Sequence, residues 1–113
     1  MKMTPELLEK LREDVRKYFE RNWESCGIPP EFTIMEETRE HILNISCSII
    51  MTKYKFGYPG GGFVQSIVNN DLRGAINKAD RVNLKAIPFY VTMLQNIPVL
   101  EMIDTEDDSE RDI

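Results

Sequence analysis

Four groups of side chains in this chain have types that could carry chemistry. His41 is the only histidine, and Cys26 and Cys47 are the only cysteines. One histidine excludes a paired-histidine metal site or a metalloprotease motif, and the spacing of Cys26, His41 and Cys47 matches no zinc motif. Cys47 lies six residues from His41, which would not bring the two face to face on a helix, so the expected roles are a core cysteine and a surface histidine. Glu36, Glu37 and Glu40 could collect a cation but more simply solvate a helix face. Asp71 and Asp80 could be paired acids, yet each stands where a helix needs an N-cap, and capping is the expected role. Gly60-Gly61-Gly62 invites a phosphate-loop reading. No Gly-Lys-Ser or Gly-Lys-Thr follows it, and neither the P-loop nor the dinucleotide fingerprint is met. What remains is an anion site in which the amides of Gly62 and Phe63 are supplemented by Lys53, Lys55, Arg73 and Arg81.

The elements that would position these groups read as helices. Thr4 is an N-cap with Pro5 at the first helical position, and Met3 and Leu8 have hydrophobic-staple spacing. Leu8, Leu11, Val15 and Phe19 form a stripe at spacings of three and four, predicting a helix to about Trp23 or Glu24. Gly27, Pro29 and Pro30 end it. Thr33 and Glu36 have capping-box spacing, so a second helix is expected from Thr33 to about Lys55 or Phe56. Ile42, Ile45, Ile49 and Phe56 lie on its face, with Leu43, Cys47 and Ile50 beside them. So wide an apolar surface suits a central helix with neighbours on two sides.

The stretch Gly57 to Gly62 predicts a turn. A third helix over about 62–69 carries Phe63, Val64, Ile67 and Val68 on one face. Asn69-Asn70-Asp71 interrupts or recaps it, and Leu72, Ala75, Ile76 and Ala79 carry the apolar pattern on. Asp80 and Asn83 both offer caps for a last helix with Val82, Ala86, Tyr90, Met93 and Ile97 on its buried face. Pro88 must fall in its first turn, kink it or divide it. The expected fold is all-α, a compact bundle of about four helices in a single domain over residues 1–100. A short acidic C-terminal tail, residues 101–113, follows.

Composition limits the partners. The chain has 113 residues and a formal net charge of -5. Seven acids and one base fall after residue 100, whereas residues 53–85 hold six bases and two acids. No apolar run approaches the length of a membrane span, and no basic segment leading into an apolar one opens the chain. Two cysteines without a framework suit a reducing cytoplasm. Nucleic-acid reading is poorly supported, because the helix after the glycine turn offers only Gln65, Ser66 and Asn69 to base edges.

Gly60-Gly61-Gly62-Phe63, Ile67-Val68, Asn70-Asp71-Leu72, Ala75, Ala79-Asp80 and Asn83 together resemble a group of small helical proteins from phages, prophages and other mobile elements. That group shows a Pro-Gly-Gly-Phe or Pro-Gly-Ser-Phe turn, then Asn-Asp-Leu, then Ala-Asp and an asparagine. The present chain departs from it by an extra glycine after Pro59, by Lys78 before Ala79-Asp80, and by lacking a Cys-Trp continuation after Ile97-Pro98. The resemblance implies a phage-type accessory protein, with counter-defence as one such role, and brings no catalytic residue and no cofactor.

The leading expectation is therefore a non-enzymatic protein that binds a host protein through Tyr58, Phe63, Gln65, Asn69, Asn70 and Arg73. Leu8, Leu11, Val15 and Phe19 would serve as a homo-oligomer interface. The alternatives are a protein that sequesters a small anionic ligand such as a nucleotide, and a structural, self-assembling protein.

Overall fold

A computed structural model describes residues 4–57 and 59–96. Within them the chain is all helix, in the order α1 (Pro5–Asn22), α2 (Glu31–Ile34), α3 (Glu36–Lys53), α4 (Gly62–Val68), α5 (Leu72–Lys78) and α6 (Arg81–Asn96). The expectation of about four helices is corrected to six. The tail, Met3, Tyr58 and Ile97 lie outside the described residues.

Helix α1 starts as its sequence dictates, with the Leu7 amide donating to Thr4 Oγ1 at 3.1 Å. Its buried stripe is Leu7, Leu11, Val15 and Phe19. Leu8 is only half-buried. On the helical wheel Leu8 falls within the same arc, between Val15 and Phe19, so its partial exposure is set by packing at the first turn and not by the periodicity.

The second boundary differs from the expected capping box. Thr33 sits inside α2 and donates its hydroxyl to the Pro30 carbonyl at 2.7 Å. Helix α3 instead begins after Met35, which makes no side-chain cap. Pro29 and Pro30 precede the first helical amides, where a missing N–H costs no helical bond, and their carbonyls accept from the Phe32 and Thr33 amides at 2.9 and 3.0 Å. This single turn bends the chain into α3.

Three helix ends use one device, a residue in left-handed conformation followed by a six-to-one hydrogen bond. After α1, Gly27 has φ 80°, and the Ile28 amide reaches the Trp23 carbonyl at 3.0 Å. After α3, Lys55 has φ 61°, and the Phe56 amide reaches the Met51 carbonyl at 2.8 Å. After α4, Asn70 has φ 59°, and the Asp71 amide reaches the Ser66 carbonyl at 2.8 Å. These are Schellman closures, which satisfy carbonyls a helix end would otherwise leave open. In the first two the following residue, Ile28 or Phe56, is driven into the core at 3% and 1% exposure. In the third it is Asp71, whose carboxylate at once caps α5 by accepting from the Gly74 amide at 3.0 Å. Asn69-Asn70-Asp71 thus both ends one helix and starts the next.

Helix α3 is central and packs against α1, α2, α4 and α6. Ile42, Leu43, Cys47, Ile49 and Ile50 are buried on it. Aromatic rings join the neighbours: Phe19 of α1 meets Phe89 of α6 edge-on at 5.4 Å, and Phe63 of α4 meets Tyr90 of α6 at 5.8 Å. Such edge-on pairs add to the burial they already provide. Pro88 lies in the interior of α6, which runs through it as one element. It leaves the Leu84 carbonyl without its helical donor; Leu84 and Pro88 are both on the exposed side, where an open carbonyl costs least.

Candidate interaction surface

The glycine turn is a packed structure. The Gly60 amide donates to Thr52 Oγ1 of α3 at 2.8 Å, and Gln65 Nε2 donates to the Gly60 carbonyl at 2.7 Å. A Cβ on Gly60 would stand 2.6 Å from both Ser48 Oγ and Val64 Cγ1, whereas one on Gly61 would meet nothing within 4 Å. The absence of a side chain at Gly60 therefore lets the turn lie against α3 and sets where α4 begins.

The expected partner-binding residues divide. Gln65, Asn69, Asn70 and Arg73 are exposed. Phe63 is 8% exposed and belongs to the core against Tyr90, because a helix start pressed onto α3 and α6 turns its first large apolar side chain inward. Tyr58 lies outside the described residues. The proposed oligomer stripe is also corrected: Leu11, Val15 and Phe19 are 0–2% exposed within the single chain. An amphipathic stripe has one apolar face, and α3 and α6 already cover this one.

The anion-site residues acquire other settings. Lys53 stands in the last turn of α3, where its charge offsets the carbonyl end of the helix. Lys55 forms that helix's left-handed closure. The methylene chain of Lys78 lies over Gly62, 3.1 Å from where a Cβ would be, and Lys78 Nζ donates to Ser66 Oγ at 3.4 Å. The hollow that includes Arg73 is lined by Leu72, Ile76 and Asn77, and by none of Lys53, Lys55 or Arg81. Among the described residues no hydrogen bond or ion pair links those four cations. Ser66, one of the three groups that could have faced a base edge, is buried.

The reactive side chains are likewise placed apart. Burial pushes the Cys47 thiol up to about 11 from its ordinary 9. His41 meets Asp80, with Nε2 3.0 Å from Asp80 Oδ2. Asp80 Oδ1 accepts from the Asn83 amide at 2.7 Å, so Asp80 is the cap of α6. Asn83, the other expected cap, turns inward instead and accepts from the Tyr90 hydroxyl at 2.6 Å. Burial, with the Asp80 charge adding to it, raises the Tyr90 phenol above its ordinary value. Among the described residues no group of three or more His, Cys, Asp or Glu is placed to hold a metal ion, and no helix is long and apolar enough to cross a membrane.

What the periodicity conceals is the outward turn of α5 and α6. Ala75 is fully buried, but Leu72 and Ile76 on the adjoining side of α5 are 60% and 46% exposed. On α6, Leu84 and Val91 are 47% and 39% exposed. They are seven residues apart and so share a face with Pro88 between them. Leu72, Ala75, Ile87 and Val91 line one small hollow between the two helices, with Ser66, Asn70 and Asp71 at its edge. Arg73, Arg81 and Lys85 are exposed on the same two elements. The sequence clue is the spaced apolar pattern Leu72, Ala75, Ile76 and Ala79 after Asp71, which reads equally as core.

Comparison of the chain with known protein families, with curated proteins and with solved structures found no match.

Proposed function

We propose that this chain is a non-enzymatic phage-type accessory protein that binds a host protein through the exposed side of α5, the end of α4 and the adjoining face of α6. The observation that carries the reading is the pair Leu72 and Ile76. Large apolar side chains one turn apart on a two-turn helix, both exposed, with Leu72 sharing a hollow with the exposed Val91 of α6, form a patch of the kind that marks association surfaces. Arg73, Asn69 and Asn70 stand near it with groups able to fix orientation through hydrogen bonds. The resemblance to phage and prophage proteins is what makes the proposed partner a host protein, and Asn70-Asp71-Leu72, one part of that resemblance, opens the patch.

The test places a photo-crosslinking amino acid at Ile76 in one variant and at Lys17, on the exposed side of α1, in another. Each is irradiated in host lysate. The reading expects one host protein joined to the Ile76 variant and little or nothing joined at Lys17. Equal, diffuse labelling from both positions would reject it.

A further inference from the structure

A second exposed apolar patch stands at the junction of α2 and α3. Ile34 is 78% exposed and Met35 is 56% exposed. They are adjacent, they project from a one-turn helix, and exposed Glu31, Glu36 and Glu37 surround them in the chain. The face of α5 and α6 has the opposite character. The exposed bases Arg73, Arg81 and Lys85 lie on the same two helices as Leu72, Ile76, Leu84 and Val91, while the acids there, Asp71 and Asp80, are engaged as helix caps. Among the described residues none of Glu31, Glu36, Glu37, Arg73, Arg81 and Lys85 takes part in an ion pair; the pairs present are Arg12 with Glu40, Arg16 with Glu13 and Glu20, and His41 with Asp80.

We propose that the two patches are the two halves of one contact, and that the occupant of the α5–α6 face is the Ile34-Met35 projection of a second copy of this chain. Three features fit them together. One patch projects and the other is concave, with a hollow of about 30 Å³ between Leu72, Ala75, Ile87 and Val91 that takes the end of a single aliphatic side chain. The apolar parts would be removed from water together, and a methionine adapts readily to an irregular hollow. The charge balance of the two differs in sign, with Glu31, Glu36 and Glu37 outnumbering Arg39 around the projection and Arg73, Arg81 and Lys85 outnumbering Asp71 and Asp80 on α5 and α6, so approach in this orientation is favoured over like-to-like approach of either patch. A contact that joins different patches is heterologous. Each copy keeps one unused projection and one unused face, so assembly continues until a ring closes or a filament grows. The patches are small, which makes this a weak, concentration-dependent association. The inference does not rest on the host-binding reading, although a host partner on α5 would compete with the second copy.

Sedimentation velocity of the purified full chain tests it without any host component. The expected result is a weight-average sedimentation coefficient that rises from low micromolar to millimolar protein and rises less at high salt. Two double variants, Ile34→Asp/Met35→Asp and Leu72→Asp/Ile76→Asp, should each remain monomeric where the parent associates. Mixed together they should form a dimer and nothing larger, since one intact projection and one intact face remain. Circular dichroism confirms that each variant is folded. A second pair, Glu36→Lys/Glu37→Lys and Arg73→Glu/Arg81→Glu, repeats the test by charge alone: each should associate less, and the mixture should regain association beyond a dimer, because every chain in it keeps one projection and one face of complementary charge to the other variant. A parent chain that stays monomeric throughout overturns the proposal, whether the face is empty or covered by residues 101–113. Association that survives the double variants, or a mixture that stays monomeric, overturns it as well.

Discussion

Cys47 and Tyr90 show how much a single buried side chain fixes here. The Cys47 thiol titrates at about 11 in the folded chain against an ordinary 9, because burial disfavours the thiolate. A raised acid value means that the unfolded chain loses this proton first as pH rises. Its contribution to stability is therefore complete below pH 9 and is lost progressively towards 11. Urea unfolding across that interval should show stability falling with pH, and Cys47→Ala should flatten the fall while lowering stability overall. Tyr90 changes stability in the same direction at higher pH. Its hydroxyl is the donor to the buried Asn83 oxygen. Tyr90→Phe keeps the ring against Phe63 but leaves that oxygen without a partner, at a cost of about 1–3 kcal/mol by chemical denaturation. An unchanged midpoint would mean that water reaches Asn83.

At the scale of elements, what was legible depended on whether the deciding contact is local. Thr4, Asp71 and Asp80 are identifiable as caps because a short polar side chain ahead of an apolar run bonds amides three residues away. The start of α3 is not identifiable in this way. Thr33 and Glu36 have capping-box spacing, but Pro29 and Pro30 offer nearby carbonyls and an extra turn forms first. The break between α4 and α5 is half legible. Three polar residues announce it, while the left-handed Asn70 that makes it sharp depends on the Schellman bonds. The glycine turn gives a sharper test of the packing that places α4. Gly60→Ala sets a methyl 2.6 Å from Ser48 Oγ and Val64 Cγ1, well inside van der Waals contact, and should destabilise the fold by about 1–3 kcal/mol. Gly61→Ala meets open space and should leave the melting temperature nearly unchanged. Equal effects at the two positions would show that the turn does not lie against α3.

For the whole molecule, the all-α architecture and the central place of α3 follow from apolar periodicity, because an apolar surface as wide as that of Ile42, Leu43, Cys47, Ile49 and Ile50 needs several neighbours. The contact surface does not follow from it. Leu11, Val15 and Phe19 make as good an interface on paper as Leu72 and Ile76, and only tertiary packing shows that the former are covered within the chain and the latter are not. Phe63 follows the same rule: an aromatic residue beside a turn suits a contact until α6 brings Tyr90 to it. The account as a whole therefore rests on the claim that α5 and α6 hold their apolar side chains out for another molecule. The most direct measurement is capture of the host protein crosslinked at Ile76 by the Leu72→Asp/Ile76→Asp chain, at a temperature where both chains are folded by circular dichroism. The account predicts a melting temperature close to the parent's and at least a tenfold loss of capture, about 1.4 kcal/mol. A chain that melts far below the parent, or one that captures the partner as well as the parent does, would contradict it.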